Sequence, residues 1–212
     1  FNGVWRLSGA PIVALRTSSG QSPPLRPAAA AVYAQRHQQL AQGRRDFDPG
    51  QQCKPIGHPR LLWEEGLPFD IQVTPKRILL GYTWNRLHRL VDVTDAAPVA
   101  PGPTYLGTAT ARWQGSTLVI HSTGYNEATL LDASGLPHGE ALVLTERWTA
   151  EAGGQRLSLQ LHVEDATTFT RAWDATLRFE RVPDGRIRED VCELRQGLYK
   201  ETTVNSPMSP IR

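Results

Sequence analysis

From residue 69 onward, apolar and polar positions alternate in short runs, which is the pattern of half-buried β-strands. Turn-forming glycines separate several of these runs, at Gly115, at the pair Gly153 and Gly154, and at Gly185. Connections this short join antiparallel neighbours. The pattern predicts strands at residues 71–74, 77–84, 86–93, 104–113, 116–122, 141–150, 155–164, 170–182 and 187–193.

Before residue 69 the pattern is mixed. Two short strands are predicted at residues 4–7 and 12–15, and one helix is predicted at about residues 28–42. The helix is rich in alanine, Pro27 precedes it and Gly43 ends it, as is typical of helix boundaries. Its apolar stripe is narrow, so we expect the helix to lie on the surface of a larger body.

Residues 44–68 form an irregular segment rich in glycine and proline, and such long loops are uncommon unless they are functional or pinned down. His58 and Trp63 could overhang a ligand pocket, or the segment could pack without touching any ligand. We expect one domain with an N-terminal arm at residues 1–68, a β-barrel at residues 69–195 and a C-terminal tail at residues 196–212.

Many strands with a single peripheral helix define an all-β protein. The hairpin turns favour an antiparallel up-and-down barrel or a tightly curved sandwich. A barrel of roughly eight strands encloses enough room for one small ligand. The stretch around Pro98, Pro101 and Pro103 is predicted to be a connecting loop within this one domain.

Composition adds limits to this fold. Hydrophobic residues make up 40% and charged residues 21% of the chain, with a formal net charge of +2, which is ordinary for a soluble protein. Scattered basic residues disfavour nucleic acid as a partner. No apolar run approaches the roughly 18 residues of a membrane-spanning helix. The chain begins at Phe1 without methionine, which fits a processed mature protein or a trimmed one.

The two cysteines, Cys53 and Cys192, lie far apart in the sequence. Two free buried thiols and one long-range disulfide both fit, and the absence of a paired-cysteine motif slightly favours the disulfide.

Candidate chemistry begins with Glu146, because strand alternation places it on one face with Leu142, Leu144 and Trp148. A buried carboxylate is costly unless it is paired or protonated. Glu146 is therefore either a general acid or base, or a structural ion-pair partner of an arginine such as Arg112 or Arg178.

His121 is the stronger catalytic candidate, since it is predicted to lie at a strand end near a barrel mouth, although a capped core histidine has the same pattern. The following loops could bring Tyr125, His138 and Glu140 to the same mouth as an acid–base set. Zinc binding by His121, His138 and either His88 or His58 is disfavoured, because the spacing matches no ligand motif. No cofactor is expected.

Aromatic and polar residues at alternating strand positions could line a ligand cavity or form ordinary core. Polar residues interleaved among them favour a cavity. The candidate ligand-binding residues are Tyr82, Trp84, His88, Tyr105, Trp113, Trp148 and Trp173, with His58 and Trp63 from the arm.

The sequence resembles a large, mostly uncharacterised family of exported bacterial proteins with a lipocalin-like β-barrel. The likeness rests on WQGSTLVI at residues 113–120, TGYN at 123–126 and SGLPHGEALVLTERW at 134–148, and it extends to residues 1–5, 53–60, 163–173 and 191–193. The resemblance implies a periplasmic or secreted location and favours the disulfide. His121 stands where the family typically has an acidic residue, which indicates a specialised chemistry.

The first hypothesis is a cofactor-independent acid–base enzyme, of lyase or isomerase type or a hydrolase, that uses His121 with Tyr125, His138 or Glu146. Its substrate would be a small apolar or aromatic molecule held in the barrel. The alternative is a periplasmic carrier or binding protein without catalysis. A filled barrel with a structural role is the third hypothesis.

Overall fold

Nine β-strands close into a barrel in the computed structural model, which describes residues 1–195 and 197. The strands are β1 Gly3–Leu7, β2 Phe69–Val73, β3 Arg77–Tyr82, β4 His88–Val93, β5 Thr108–Gln114, β6 Thr117–Thr123, β7 Val143–Glu151, β8 Arg156–Glu164 and β9 Trp173–Arg181. The helices are α1 Pro27–Ala41 and α2 Cys192–Arg195, with 3₁₀ turns at Pro49–Gln52, Arg60–Leu62, Glu64–Gly66, Trp84–Arg86 and Ala152–Gly154. The predicted all-β barrel with a peripheral helix is confirmed.

The strands follow one another around the barrel in chain order, and all neighbours are antiparallel except β4 and β5. These two pair in parallel, with Asp92 opposite Thr110. An odd number of strands cannot close with every pair antiparallel, so one parallel pair is required. A parallel pair needs a long crossover. Residues 94–107, which include the predicted proline-rich loop, form this crossover.

Two predicted strands are absent, at residues 12–15 and 187–193. The first is held by isolated contacts instead of a ladder: the Leu15 N–H donates to the Asp132 carboxylate at 2.8 Å, and the Val13 carbonyl accepts from the Ser134 N–H at 2.9 Å. The barrel wall also starts before residue 69, because β1 pairs with both β2 and β9 and closes the barrel.

The barrel interior is occupied by side chains from alternate strand positions. An aromatic group fills the part near β1, β2 and β9, where the Phe69 ring packs edge-on against Phe179 at 5.1 Å and Trp148 stacks on Phe179 at 5.4 Å. Trp5 is fully buried beside them. Edge-on and offset contacts of this kind add to the stabilisation that burial of aromatic surface provides.

One end of the barrel is covered by residues 48–66, which we call the plug. Its apolar side chains are almost completely buried, including Ile56, Leu61, Leu62 and Trp63. Helix α1 lies further out and buries no residue, as its narrow stripe predicts. Among the described residues, no helix has the length and apolar character needed to cross a membrane.

The disulfide between Cys53 and Cys192 is confirmed, with a sequence separation of 139 residues. It joins the plug to the end of residues 182–191, which we call the strap. The strap runs along the barrel wall from β1, where the Val182 N–H donates to the Val4 carbonyl, to the plug. Apart from residue 197, the predicted tail at residues 196–212 lies outside the described residues.

Candidate functional site

Six polar side chains gather inside the barrel beneath the plug, and each is at most 3% exposed: His58, Tyr82, Arg89, Ser122, Tyr125 and Glu146. We call them the interior polar cluster. The sequence predicts site roles for His58, Tyr82, Tyr125 and Glu146, which the fold brings together. Arg89 and Ser122 are additions that sequence reasoning missed.

Strand alternation explains how the wall residues of the cluster point inward. Strand β4 buries Arg89 and Val91 and exposes His88 and Leu90. In the sequence, the polar residues His88 and Asp92 alternate with Arg89 and Val91. This alternation could have placed Arg89 on the inward face with Val91. Glu146 lies on the buried face of β7, as predicted.

His58 reaches the cluster from the plug. The preceding Gly57 has a positive φ of +89°, and an added Cβ would lie 2.5 Å from the Thr129 Cβ. Only glycine permits this close approach. The backbone contact therefore fixes the start of the segment that places the His58 ring in the barrel, and the His58–Pro59 peptide bond is cis.

Both carboxylate oxygens of Glu146 have partners. Oε1 lies 2.8 Å from His58 Nε2 and accepts a hydrogen bond from Arg89 Nη1 at 2.8 Å. Oε2 accepts from Trp148 Nε1 at 3.0 Å. The carboxylate is thus held by an arginine, as the structural interpretation predicts, but the arginine is on β4, whereas Arg112 and Arg178 are exposed on the outer face.

The short contact to Glu146 fixes where the His58 proton lies. Arg89 Nη1 also lies 3.1 Å from Nε2, but an unprotonated Nε2 would repel the carboxylate at 2.8 Å, so we assign the hydrogen to Nε2, which donates to Glu146. In the neutral ring, Nδ1 is then an acceptor, and the Tyr82 hydroxyl lies 3.1 Å from it. The arrangement forms a chain in which Tyr82 donates to His58 and His58 donates to Glu146.

Burial and charge set the protonation states of the cluster. Burial would raise the pKa of Glu146, but the charges of His58 and Arg89 outweigh it and lower that pKa to about 2. For His58, burial and then the Arg89 charge lower the pKa, against the pull of Glu146. Burial raises the pKa of Tyr125 to about 12. At neutral pH the cluster therefore holds one Arg89–Glu146 ion pair among neutral groups.

Both terminal nitrogens of the Arg89 guanidinium have hydrogen-bond partners. Nη1 donates to Glu146 and lies 3.1 Å from His58 Nε2, Nη2 donates to Ser122 and lies 3.4 Å from the Tyr125 hydroxyl, and Nε has no hydrogen-bond partner among the described residues. Apart from Nε, the polar atoms of this buried ion pair are satisfied internally, and the pair is closed to solvent in this conformation. Its clearest role is to fix the packing of the plug against the wall.

The lowered pKa values of His58 and Glu146 predict that the folded protein loses stability in acid. The folded-state pKa of His58 lies below its unfolded value of about 6.5, so the unfolded chain takes up a proton first as the pH falls. Below about pH 4.3, Glu146 likewise takes up a proton in the unfolded chain before it does so in the folded protein. Stability is therefore expected to fall from pH 7 to pH 5 and again below about pH 4.3, as measured by urea unfolding at each pH.

The variants for this test are His58→Gln and His88→Gln. Glutamine at position 58 removes the titrating ring, so the slope of unfolding free energy between pH 7 and pH 5 should become shallower. His88 is exposed on β4, so His88→Gln should keep the wild-type slope. Equal slopes in all three proteins would contradict the assignment to His58.

The predicted catalytic set is not assembled in one place. His121 lies on the outer face of the wall, half-exposed, with Nδ1 3.1 Å from the Thr145 hydroxyl. His138 lies beside the interior polar cluster, with its ring 6.2 Å from that of Tyr125. Both of its nitrogens are engaged, by Thr129 at 2.7 Å and by the Gly139 carbonyl at 3.0 Å. Glu140 is exposed.

The predicted ligand-binding residues also lie in different places, some buried and some at the surface. Those that are buried in the core or under the plug are Tyr82, Trp84, Trp148, Trp173, His58 and Trp63. His88 is exposed on the outside of the barrel, Trp113 is 40% exposed on the inward-facing side of β5 beside Phe1, and Tyr105 lies half-buried in the crossover. These residues do not line one common cavity in the described part of the chain.

A second buried ionic group holds the plug together, and sequence reasoning did not find it. Arg60 donates to both oxygens of Asp48, at 2.9 and 2.8 Å, and to both oxygens of Glu64, at 2.7 and 2.6 Å. Two-point contacts of this kind are specific to the planar guanidinium. Arg60 thereby fixes Asp48, twelve residues before it, and Glu64, four residues after it, in one arrangement.

An open cavity of about 820 Å³ lies outside the barrel, between the strap and the ends of β2 and β3. We call it the strap cavity. Its apolar wall consists of Leu67, Pro68, Val182, Pro183 and Ile187. Charged strap residues at its rim are tied back to the barrel, since the Asn85 N–H donates to Asp190 at 2.6 Å and Arg86 pairs with Glu189 at 3.1 Å.

Within the part of the chain that the structure describes, no group of three or more His, Cys, Asp or Glu side chains is placed to hold a metal ion.

Comparison with known proteins gives a limited result. No protein-family model and no curated protein matches the sequence. Among solved structures, the chain is similar to a crystal structure of a mutant of the fluorescent protein UnaG, with a TM-score of 0.38 and 11% identity, covering 86% of this chain and 96% of that one. Membership of the exported bacterial family stays a prediction, and the closed barrel is what is established.

Proposed function

We propose that the protein binds a small, mainly apolar molecule without transforming it, and that the ligand lies in the strap cavity. The observation that carries this proposal is the cavity itself. Its volume of about 820 Å³ falls within the roughly 300–1,000 Å³ typical of small-molecule sites. Its apolar wall with a polar rim is also the composition of such sites.

The attachment of the strap supports this choice. The strap is fixed at both ends, by the Val182 to Val4 hydrogen bond at one end and by the disulfide at the other. Between these points residues 182–190 border the strap cavity, and Glu189 and Asp190 hold the strap to Arg86 and Asn85. A preformed cavity spares a ligand part of the ordering cost of binding.

The barrel interior is the less suitable place. Aromatic side chains and the interior polar cluster occupy it, and the cluster members are at most 3% exposed. A ligand there would have to displace the plug and break the contacts of His58 with Glu146 and Tyr82. Breaking a buried charged network costs several kcal/mol, by order of magnitude.

Acid–base catalysis is the second candidate, favoured by the chain of contacts from Tyr82 through His58 to Glu146. The test is to incubate the protein with a molecule that binds and to recover that molecule. An unchanged ligand fits a binding protein. If the ligand is converted and His58→Gln abolishes the conversion, the hydrogen-bonded series Tyr82–His58–Glu146 is catalytic.

We also propose that the protein works in an oxidising compartment, such as the periplasm or the extracellular space. The disulfide supports this proposal, because such bonds persist mainly where thiols are not kept reduced. Counting free thiols in protein isolated under alkylating conditions from its native cells tests it, with none expected at Cys53 or Cys192.

Binding is predicted to be measurable with N-phenyl-1-naphthylamine, a neutral aromatic probe whose fluorescence rises in apolar surroundings. We expect a saturable one-site titration. Ile187→Asp should weaken it by about tenfold or more, because the new carboxylate must lose water when the probe is bound.

The matched control is Val99→Asp, which adds the same charge at a side chain that is 84% exposed and outside the strap cavity. Its affinity should stay within about twofold of wild type. Absence of saturable binding, or equal weakening by both variants, would contradict the strap cavity as the site.

A further inference from the structure

A second cavity of about 280 Å³ lies on the outer face of the barrel, between β5, β6 and β7 on one side and the start of the crossover on the other. Residues 94–98 of the crossover form its lid. It is separate from the strap cavity and shares no lining residue with it. His121 lies in its wall.

Strand register places the polar side chains of this cavity in two rows. In one row, Arg112 and Arg147 flank Val119 on either side. In the next row, Thr110 and Thr145 flank His121. Because one strand separates the two arginines, their Cα atoms are about 10 Å apart, so both guanidinium groups can reach one small ligand between them.

The hydrogen-bond donors in this cavity are only partly used. Arg147 Nη2 donates to Gln114 at 2.7 Å, and the other donors of Arg147 have no partner among the described residues. Arg112 forms no ion pair with any other described side chain. Thr110 donates to the Ala96 carbonyl at 2.9 Å and so holds the lid. His121 is engaged by Thr145 through Nδ1, while Nε2 has no hydrogen-bond partner among the described residues.

Charge favours an anionic ligand. Two arginines line the cavity against one acid, Asp95, and the acid sits on the lid. Two like charges with a shared open space between them attract an oxyanion, and arginine is the side chain best suited to hold carboxylate or phosphate oxygens.

We propose that this outer cavity is a binding site for a small oxyanion, a carboxylate or phosphate group, held between Arg112 and Arg147 with His121 beside it. The proposal does not depend on the strap cavity. The volume of about 280 Å³ suits a small ion or the acidic end of a small metabolite, not a macromolecule.

The experiment is an NMR titration that follows the side-chain signals of His121, at constant ionic strength. Sodium phosphate and sodium acetate are the two probes, and they distinguish a phosphate group from a carboxylate. A saturable shift of His121 with either probe is the expected result. Arg112→Met and Arg147→Met should each weaken the binding by about tenfold, the loss expected for one charge-assisted contact.

Arg178→Met is the matched control, because Arg178 is an exposed outward arginine on β9 and does not line the cavity. It removes the same charge and should change affinity by less than about twofold. The proposal is overturned if His121 shows no saturable shift with either anion, or if Arg178→Met weakens binding as much as the cavity variants do.

Discussion

Replacing Glu146 with glutamine is expected to lower the free energy of unfolding by about 3–5 kcal/mol at pH 7. The substitution keeps the shape of the side chain but leaves Arg89 charged at 3% exposure without its counter-ion. His58 and Trp148 lose an anionic acceptor at the same time. Urea unfolding followed by tryptophan fluorescence measures the effect.

Two further variants separate the ion pair from general damage. Glu146→Leu combined with Arg89→Met removes both charges, and it should recover much of the stability that Glu146→Gln loses. Asp92→Asn breaks an exposed pair with Arg77 in which both side chains are more than 60% exposed, at 61% and 63%. That change should cost less than about 1 kcal/mol. A Glu146→Gln effect no larger than this would contradict the structural role of the cluster.

Removing the disulfide has the second large effect. Serine at both Cys53 and Cys192 is expected to lower the free energy of unfolding by about 2–5 kcal/mol. The bond closes a loop across 139 residues, so its loss restores much freedom to the unfolded chain. Chemical unfolding of the wild type, with and without reductant, compared with the double variant, gives the size of the effect.

The same double variant tests how the strap is held. Without the disulfide, the strap keeps the Asn85–Asp190 and Arg86–Glu189 contacts at that end. We expect weaker binding of N-phenyl-1-naphthylamine while the pH dependence assigned to His58 persists. Unchanged stability in the double variant under oxidising conditions would show that the bond contributes nothing to the fold.

Local pattern was sufficient to predict most of the barrel. Strand β8 shows why, because its buried and more exposed positions alternate over all nine residues, and those of β7 alternate from Val143 to Thr149. The runs at residues 12–15 and 187–193 have similar apolar content but no free strand edge beside them, since β1 and β9 already close the barrel. Their side chains contact the wall without a ladder.

The candidate site depended on information that local pattern does not contain. Alternation correctly placed Glu146 inside but could not tell which arginine faces it across the lumen, because that depends on how the barrel closes. It likewise placed His121 on the face opposite Ile120, without showing that this face is the outside of the wall. The plug carried His58 into the barrel through a contact at Gly57 that has no periodic signal.

These placements change the meaning of the predicted chemistry. Glu146, Tyr125 and His58 are joined in one sealed network, whereas His121 lies on the outer side of the wall. The strap cavity and the outer cavity both open on the outside of the barrel. We therefore propose that ligands bind outside the lumen and that the interior polar cluster stabilises the fold.

The most direct test of this account is a two-dimensional ¹H–¹⁵N NMR titration with N-phenyl-1-naphthylamine. The account predicts shifts at Leu67, Thr83 and Ile187 around the strap cavity. The indole N–H of Trp148, which donates to Glu146 inside the barrel, should not move. A large shift of that indole signal with no change along the strap would place the ligand in the lumen and contradict the account.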